Sequence, residues 1–266
     1  MKKVCIIYNH KEKIAQELFI ESIKYFQKRE IKVLENNIEE ANFLVVIGED
    51  RTLLKSLKYF VFKENFYIIA INIENTGFLA EIKKENMIKE YDNFLNNDFN
   101  YETRHILEIK LKDKIYYALN EIVISKAEVT SRILKVSFSV NDEYMCTYKS
   151  DGVIVSTPTG STAYSMSAGG PILNPNIKGI VITPIAPHNL NTRSIVISGE
   201  EELKLQMKEQ ERDGIIIVDG QISEKIDSSS IINIKYLDIP LNFVIPKNRS
   251  YYNILREKLN WEGNLC

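Results

Sequence analysis

Cysteine is scarce in this chain. Cys5, Cys146 and Cys266 are its three, they lie far apart, and their spacing fits neither a metal site nor a disulfide framework. They are expected as reduced thiols in a cytoplasmic protein. Long apolar runs are missing too, since no stretch reaches the roughly 18 residues of a membrane span. The opening MKKVCIIYNHKEK carries two lysines but only a handful of apolar residues before polarity returns, so it reads as a first strand and not as a signal peptide. No charge dominates: 34 Lys and Arg stand against 36 Asp and Glu, interspersed, for a formal net charge of -2. Neither nucleic acid nor an anionic membrane is indicated as a partner. Internal repeats, low-complexity tracts and proline-rich linkers are also lacking. What remains, 44% hydrophobic and 26% charged over 266 residues, is a globular composition long enough for one large domain or two ordinary ones.

The hydrophobic period changes once along the chain. In the first hundred residues, short apolar runs alternate with helix-like stretches. Val4–Tyr8, Ile31–Leu34, Phe43–Ile47 and Tyr67–Ile71 read as strands. Between them, Lys13 to Lys28 spaces Ile14, Leu18, Ile23 and Phe26 for a helical face, and further helices are expected from about Thr52 to Lys63 and over Asn86–Asn97. Apolar strands separated by helices imply a parallel sheet with flanking helices, an α/β amino-terminal domain. After Asn100 the period becomes two. Leu107, Ile109 and Leu111 alternate with charged residues, Val136, Phe138 and Val140 with polar ones, and Leu203, Leu205 and Met207 repeat the pattern. These are half-buried strands of a β-rich second domain. Helical spacing returns at Ser250–Asn260, and the boundary falls near Asn96–Asn100.

Four stretches carry chemistry-bearing residues. SDGVIVSTPTGSTAYSMSAGGPIL, Ser150–Leu173, runs from a carboxylate through a strand into a turn of small polar residues, whose backbone and hydroxyls can approach a ligand closely or simply satisfy their own turn. In ALNEIVISK, Asn120 and Glu121 open a strand, where an amide and a carboxylate can both reach ribose hydroxyls or serve as ordinary turn residues. VDGQ, Val218–Gln221, reads by itself as a hairpin turn. INIENTGFLAEI, Ile71–Ile82, is a loop at a strand's carboxyl end, where open parallel sheets place ligands. A fifth stretch, GEDRT at Gly48–Thr52, sits between a buried strand and a helix, where phosphate turns occur, but with three charges in a row.

Together these segments resemble the NAD kinase family, almost end to end. DGVIVSTPTGSTAYSMSAGGPIL is close to that family's longest signature. ALNEIVIS, TRHIL (Thr103–Leu107), ITPIAPHNLNTRSIV (Ile182–Val196) and VDGQ are similar to further segments, and GEDRT stands where the family has G-G-D-G-T. The resemblance implies a two-domain architecture: an α/β domain over residues 1–98, a β-rich NAD-binding domain over 99–244, and residues 245–266 returning to the first. It implies phosphorylation of the adenosine ribose 2'-hydroxyl of NAD by ATP or polyphosphate, a divalent cation such as Mg2+, and a homo-oligomer, dimer or tetramer. Asp50 falls on the position of the general base. Asp50, Arg51, Asn120, Glu121, Arg132, Lys149 and Asp151 are implied to contact NAD. So are Thr162, Ala163, Tyr164, Ser165, Met166, Ser167, Ala186 and Gln221. Gly48, Glu49, Arg51 and Thr52 form the implied donor-phosphate loop.

Such residue types suit the reaction. A ribose hydroxyl is a poor nucleophile, and a carboxylate that accepts its proton contributes roughly 10²–10⁴-fold. The rest comes from in-line positioning and neutralisation of phosphate charge. The chain departs from the pattern at Glu49 and Arg51, where the motif has glycine, and at Glu74, another common glycine position. Glycine permits positive φ, so the loop is expected to be reshaped or strained. Three outcomes are open. Arg51 can serve the donor phosphate, with Glu49 pairing with it or helping to hold the metal. Arg51 can instead pair with Asp50 and weaken it as a base. Or the chain is a weak or inactive NAD(P)-binding sensor. Asp50 and Thr52 remain for chemistry and helix capping. A related lipid or sugar kinase is the other enzymatic alternative.

Overall fold

A computed structural model describes residues 2–34, 37–57, 63–74, 77–127, 133–208 and 214–261. Contacts divide the chain into two compact units, Met1–Thr103 with Leu241–Cys266, and Arg104–Pro240.

The first unit opens with β1 (Lys3–Tyr8), α1 (Lys13–Lys28), β2 (Lys32–Leu34), β3 (Phe43–Gly48), α2 (Asp50–Ser56) and β4 (Tyr67–Asn72). It continues through β5 (Ile82–Lys83), α3 (Met87–Leu95) and β6 (Asn100–Arg104). The strands form a sheet in the order β2-β1-β3-β4, then a late strand described below, then β6, with β5 pairing onto β4. The pairs of β1 with β2 and β3, and of β3 with β4, are parallel. Every residue of β3 is buried, as its unbroken apolar run requires. Phe26, Phe43, Tyr91 and Phe94 join the β-strand residues in one core, which receives α1 and α3. Of the residues expected on the packed face of α1, Phe26 is buried in the core and Leu18 and Ile23 pack against it, half-buried. Ile14 is 44% exposed, whereas Ala15, Ser22, Tyr25 and Phe26 are buried. Polar side chains can take the buried face because Ser22 Oγ bonds the Tyr91 hydroxyl at 2.9 Å and Tyr25 donates to Asp92. Helix α2 begins at Asp50, two residues before its expected start, with an acidic residue in the first turn where the helix dipole favours it. Of its expected span, residues 58–62 lie outside the described residues.

The second unit is built from two antiparallel six-stranded sheets. Its strands are β7 (Leu107–Leu111), β8 (Lys114–Ala118), β9 (Glu121–Lys126), β10 (Leu134–Val140), β11 (Glu143–Ser150) and β12 (Gly152–Ser156), then β13 (Gly179–Ile185), β14 (Ile195–Ser198), β15 (Leu203–Met207), β16 (Gly214–Val218), β17 (Ile222–Ile226) and β18 (Ile231–Tyr236). One sheet runs β11-β10-β15-β18-β7-β8 and the other β14-β13-β12-β9-β16-β17. Alternate residues such as Leu107, Ile109, Leu111, Leu203 and Leu205 from the first meet Ile122, Ile124, Val153, Val155, Ile180 and Ile182 from the second in a single core. The period of two in the sequence is thus the inward and outward alternation of a sandwich. A one-turn helix, α4 (Tyr164–Ser167), follows β12.

The chain then returns to the first unit as β19 (Leu241–Ile245), parallel to β4 and next to β6, and α5 (Tyr251–Leu259). Ser250 caps α5 by accepting the Asn253 N–H. Just before it, Arg249 is held between Glu81 and Glu102. Among the described residues, no helix is long and apolar enough to cross a membrane.

Candidate active site

In the first unit the geometry centres on Asp50. Strands β3 and β4 lie side by side and parallel, with Gly48 opposite Asn72 at their carboxyl ends. Beyond Gly48, Glu49 is extended (φ -94, ψ 174) and Asp50 begins α2. The loop after β4 folds back over this point. Asp50 Oδ2 accepts the Phe78 N–H at 2.9 Å, and Oδ1 accepts those of Leu79 at 3.2 Å and Ala80 at 2.8 Å. The approach is so close that a Cβ on Gly77 would stand 2.1 Å from Asp50 Oδ1. Asn72, itself buried, braces the loop by donating from Nδ2 to Ala80 O at 2.9 Å.

This settles the conformational question raised by GEDRT. Neither Glu49 nor Arg51 has positive φ, since one is extended and the other helical. Their side chains therefore fit the backbone without strain, and the loop keeps its glycine only at Gly48. Arg51 does not pair with Asp50, whose oxygens face backbone N–H groups instead. The N-cap is Glu49, without a side-chain bond, so Thr52 is the third helical residue and not the cap. Glu74 donates its N–H to Asn72 Oδ1 in a local turn.

In the second unit the other expected residues fall into two groups. The first surrounds the start of β9. Asn120 and Glu121 lie against the hairpin joining β16 to β17, and Asp219 in that hairpin accepts three consecutive backbone N–H groups, from Leu119 (2.8 Å), Asn120 (2.8 Å) and Glu121 (2.9 Å). The turn after β12 packs on the same backbone. Thr157 donates its N–H to Asn120 O and its hydroxyl to Leu119 O, and a Cβ on Gly160 would lie 2.1 Å from Asn120 O. A single turn of 3-10 helix, Gly160–Thr162, then leads through Ala163 into α4. Tyr164 and Ser167 are exposed there, and Met166 is half-buried. Ser165 is buried with its hydroxyl bonded to Thr183, which makes it a brace for the turn. Gln221 lies in the Asp219 hairpin and donates to Asp219 O.

The electrostatics of this first group are unusual. Glu121 is buried, and its Oε2 has no hydrogen-bond partner among the described residues. Burial, reinforced by the Asp219 charge, pushes its carboxyl up to about 8. Burial likewise raises Asp219, to about 6, against the lowering effect of its three N–H donors.

The second group lies at the other end of β12. Asp151 precedes that strand and is bonded to Lys126 at 3.0 Å. Lys149 is exposed, its carbonyl accepting the His188 N–H. Ala186, just past β13, is an exposed non-glycine residue at φ 45, a conformation that concentrates at functional sites. The length of β12, roughly 16 Å at about 3.3 Å per residue, separates the two groups. Arg132 lies outside the described residues.

Asn72, Gly77 and Asp219 were not among the expected site residues. Asn72 and Gly77 lie in the strand-end loop that the sequence marks as a ligand position. Asp219 belongs to an Asp-Gly pair that reads as a hairpin, and the hairpin is real, but nothing local shows that its carboxylate ties three distant amides.

A parallel-sheet α/β unit and an antiparallel β-sandwich unit together define a two-domain fold. Two solved structures share it. A yeast NADH kinase complexed with NADH has a TM-score of 0.89 at 21% identity, covering 100% of this chain and 89% of that one. An NAD kinase from Archaeoglobus fulgidus in complex with ATP has a TM-score of 0.79 at 24% identity, covering 97% and 98%. Residues 119–244 match the family model for the ATP-NAD kinase C-terminal domain. The NAD kinase of Fusobacterium nucleatum is 44% identical over 268 residues, spanning 100% of both chains. That of Caldicellulosiruptor saccharolyticus is 33% identical over 261 residues, 96% of this chain and 98% of its own. The chain belongs to the NAD kinase family, and it is an enzyme, a phosphotransferase whose acceptor is NAD. These relatives lend no support to the sensor reading or to a lipid or sugar kinase.

Proposed function

We propose that Asp50 is the general base that deprotonates the adenosine ribose 2'-hydroxyl of NAD while ATP, or polyphosphate, donates its terminal phosphoryl group. The proton passes to the Asp50 carboxylate, the ribose oxygen forms a bond to the γ-phosphorus, and the bond from that phosphorus to the bridging oxygen breaks to release ADP. One observation supports this assignment above others. The Asp50 carboxylate is fixed by three backbone N–H groups, of which only one falls on Oδ2, so that oxygen keeps a lone pair for a hydroxyl proton.

Asn120, Glu121, Asp151, Lys149, Ala186 and Gln221, with the Thr162–Ser167 turn, are proposed to contact NAD. The unpartnered Oε2 of Glu121 supports its part, since a ribose hydroxyl would complete it. Gly48, Glu49, Arg51 and Thr52 are proposed as the donor-phosphate loop, where the exposed Arg51 supplies a guanidinium for phosphate oxygens. Among the described residues no group of three His, Cys, Asp or Glu side chains could cage a metal. An Mg2+ would therefore be carried mainly by phosphate oxygens and water, with Glu49 as the protein carboxylate that would hold it. Such an ion would neutralise the charge of the transferring phosphates. We further propose a cytoplasmic homo-oligomer, a dimer or tetramer. The buried free thiol of Cys5 suits a reducing compartment, and a second copy would be one way to use both residue groups at the ends of β12.

The test is Asp50→Asn. The amide keeps one acceptor oxygen but cannot take the proton, so turnover is expected to fall roughly 10²–10⁴-fold, with NAD affinity by calorimetry unchanged. Near-normal NADP formation by this variant would exclude Asp50 as the base.

A further inference from the structure

The carboxy-terminal segment of the first unit reaches the Asp50 loop through one arginine, largely but not fully buried. Arg249 lies between β19 and α5. Its Nε and Nη2 donate to Glu81 Oε2 at 2.6 Å and Oε1 at 2.9 Å, and its Nη1 donates to Glu102 Oε1 at 2.9 Å. The three side chains are 10%, 4% and 6% exposed. A two-pronged guanidinium contact to a carboxylate fixes orientation as well as distance.

Glu81 directly follows Ala80, and the Ala80 N–H makes the shortest of the three bonds to Asp50. The pairing of Ile82 with Ile71 begins directly after it. The loop that grips Asp50 therefore leaves through a residue whose side chain has one well-satisfied position. A buried carboxylate cannot drift from its partner without leaving charge unpaired in a poorly solvated site. Wherever Arg249 holds Glu81, the Ala80 amide is held one residue away.

We propose that Arg249 is a positioning residue for phosphoryl transfer. It touches no substrate in this arrangement; it fixes Glu81, thereby the Phe78–Ala80 amides, and thereby the angle at which the Asp50 carboxylate is presented. The proposal rests on Asp50 acting as the base.

The experiment is a cycle on the full chain. Arg249→Met, Arg249→Lys and Glu81→Gln are each made in the wild-type and Asp50→Asn backgrounds. Turnover, the KM for NAD and Tm are measured for each, with single-turnover assays at excess enzyme for the slow variants. In the wild-type background Arg249→Met is expected to lower kcat by tenfold or more, up to about 10²-fold, the scale of a misplacement near 1 Å. The KM for NAD should stay within about twofold. Arg249→Lys, which keeps charge but loses the fork, should fall between. In the Asp50→Asn background the same substitutions should lower Tm equally yet change the residual turnover by less than about twofold, because groups that act as a unit are not additive. Equal fractional losses of turnover in both backgrounds, or a fall in Tm with kcat intact, would overturn the proposal. If Arg249→Met does not fold, Arg249→Lys and Glu81→Gln carry the same comparison. A fully active Asp50→Asn enzyme would sink the base assignment instead, and that result is read from the single variant alone.

Discussion

The backbone N–H of Glu121 is bonded to Asp219 Oδ1 at 2.9 Å, while its own carboxyl stands buried with an oxygen that no described residue satisfies. Burial, and after it the charge of the same aspartate that orders the start of β9, raises the proton affinity of that side chain.

This arrangement predicts how stability depends on pH. A carboxyl that binds its proton more tightly folded than unfolded stabilises the fold fully below its unfolded pKa, near 4.5, and loses that contribution as pH rises through its folded value, about 8. Glu121→Gln keeps the shape and removes the titration. The difference in Tm between variant and wild type is therefore expected to grow in the variant's favour from pH 4.5 to 8. Thermal melts across that range would refute the arrangement if the two curves ran parallel.

Asp219→Ala removes the acceptor for three consecutive amides. Each buried donor left without a partner costs roughly 1–3 kcal/mol. Tm should drop by several degrees and the KM for NAD should rise about tenfold as Asn120 and Glu121 lose their register. An unchanged KM beside a lowered Tm would confine Asp219 to folding.

Gly77→Ala tests the seat of Asp50 from the other side. The added methyl would sit 2.1 Å from Oδ1, so the carboxylate or the loop must move. Overpacking of this kind costs roughly 1–3 kcal/mol, and kcat is expected to fall at least tenfold with NAD binding retained. Wild-type kcat would show that the position of the carboxylate is not critical.

Replacing the two charges of the proposed donor loop, Glu49→Gly with Arg51→Gly, separates their roles from backbone shape. Neither position needs glycine, and glycine within α2 should cost about 1 kcal/mol of stability. Loss of a charge-assisted bond to the donor corresponds to about tenfold or more in the KM for ATP. ATP saturation curves that do not move would remove Arg51 from the donor site, and a large gain in kcat would mean that the charges impede transfer.

Much of this was legible in the sequence. The four apolar runs of the first unit are strands close to their expected bounds, most plainly β3 and β4, where burial on both faces demands an unbroken apolar run. The period of two marked the sandwich for the complementary reason. The packed face of α1 was read without Ser22 and Tyr25, because a buried serine and tyrosine look polar until their partners on α3 are known. Candidate site residues could be singled out where the residue types are local, as in Asn120-Glu121 and the turn after β12. They could not be where a side chain acts on amides far along the chain. Asp219 serves residues 98 to 100 positions away, and Asp50 is held by amides 28 to 30 positions on. Amides carry no signature in the residue letters.

That last fact bears on how the Asp50 loop can vary. Phe78, Leu79 and Ala80 hold the carboxylate by main-chain atoms that nearly every amino acid possesses. Substitutions in the loop can alter bulk and polarity without dismantling its grip, provided position 77 stays glycine and no proline enters. The Asp50 carboxylate is thereby insulated from side-chain drift around it, which is how a chain can carry glutamate and arginine on either side of its aspartate and still hold that aspartate in place.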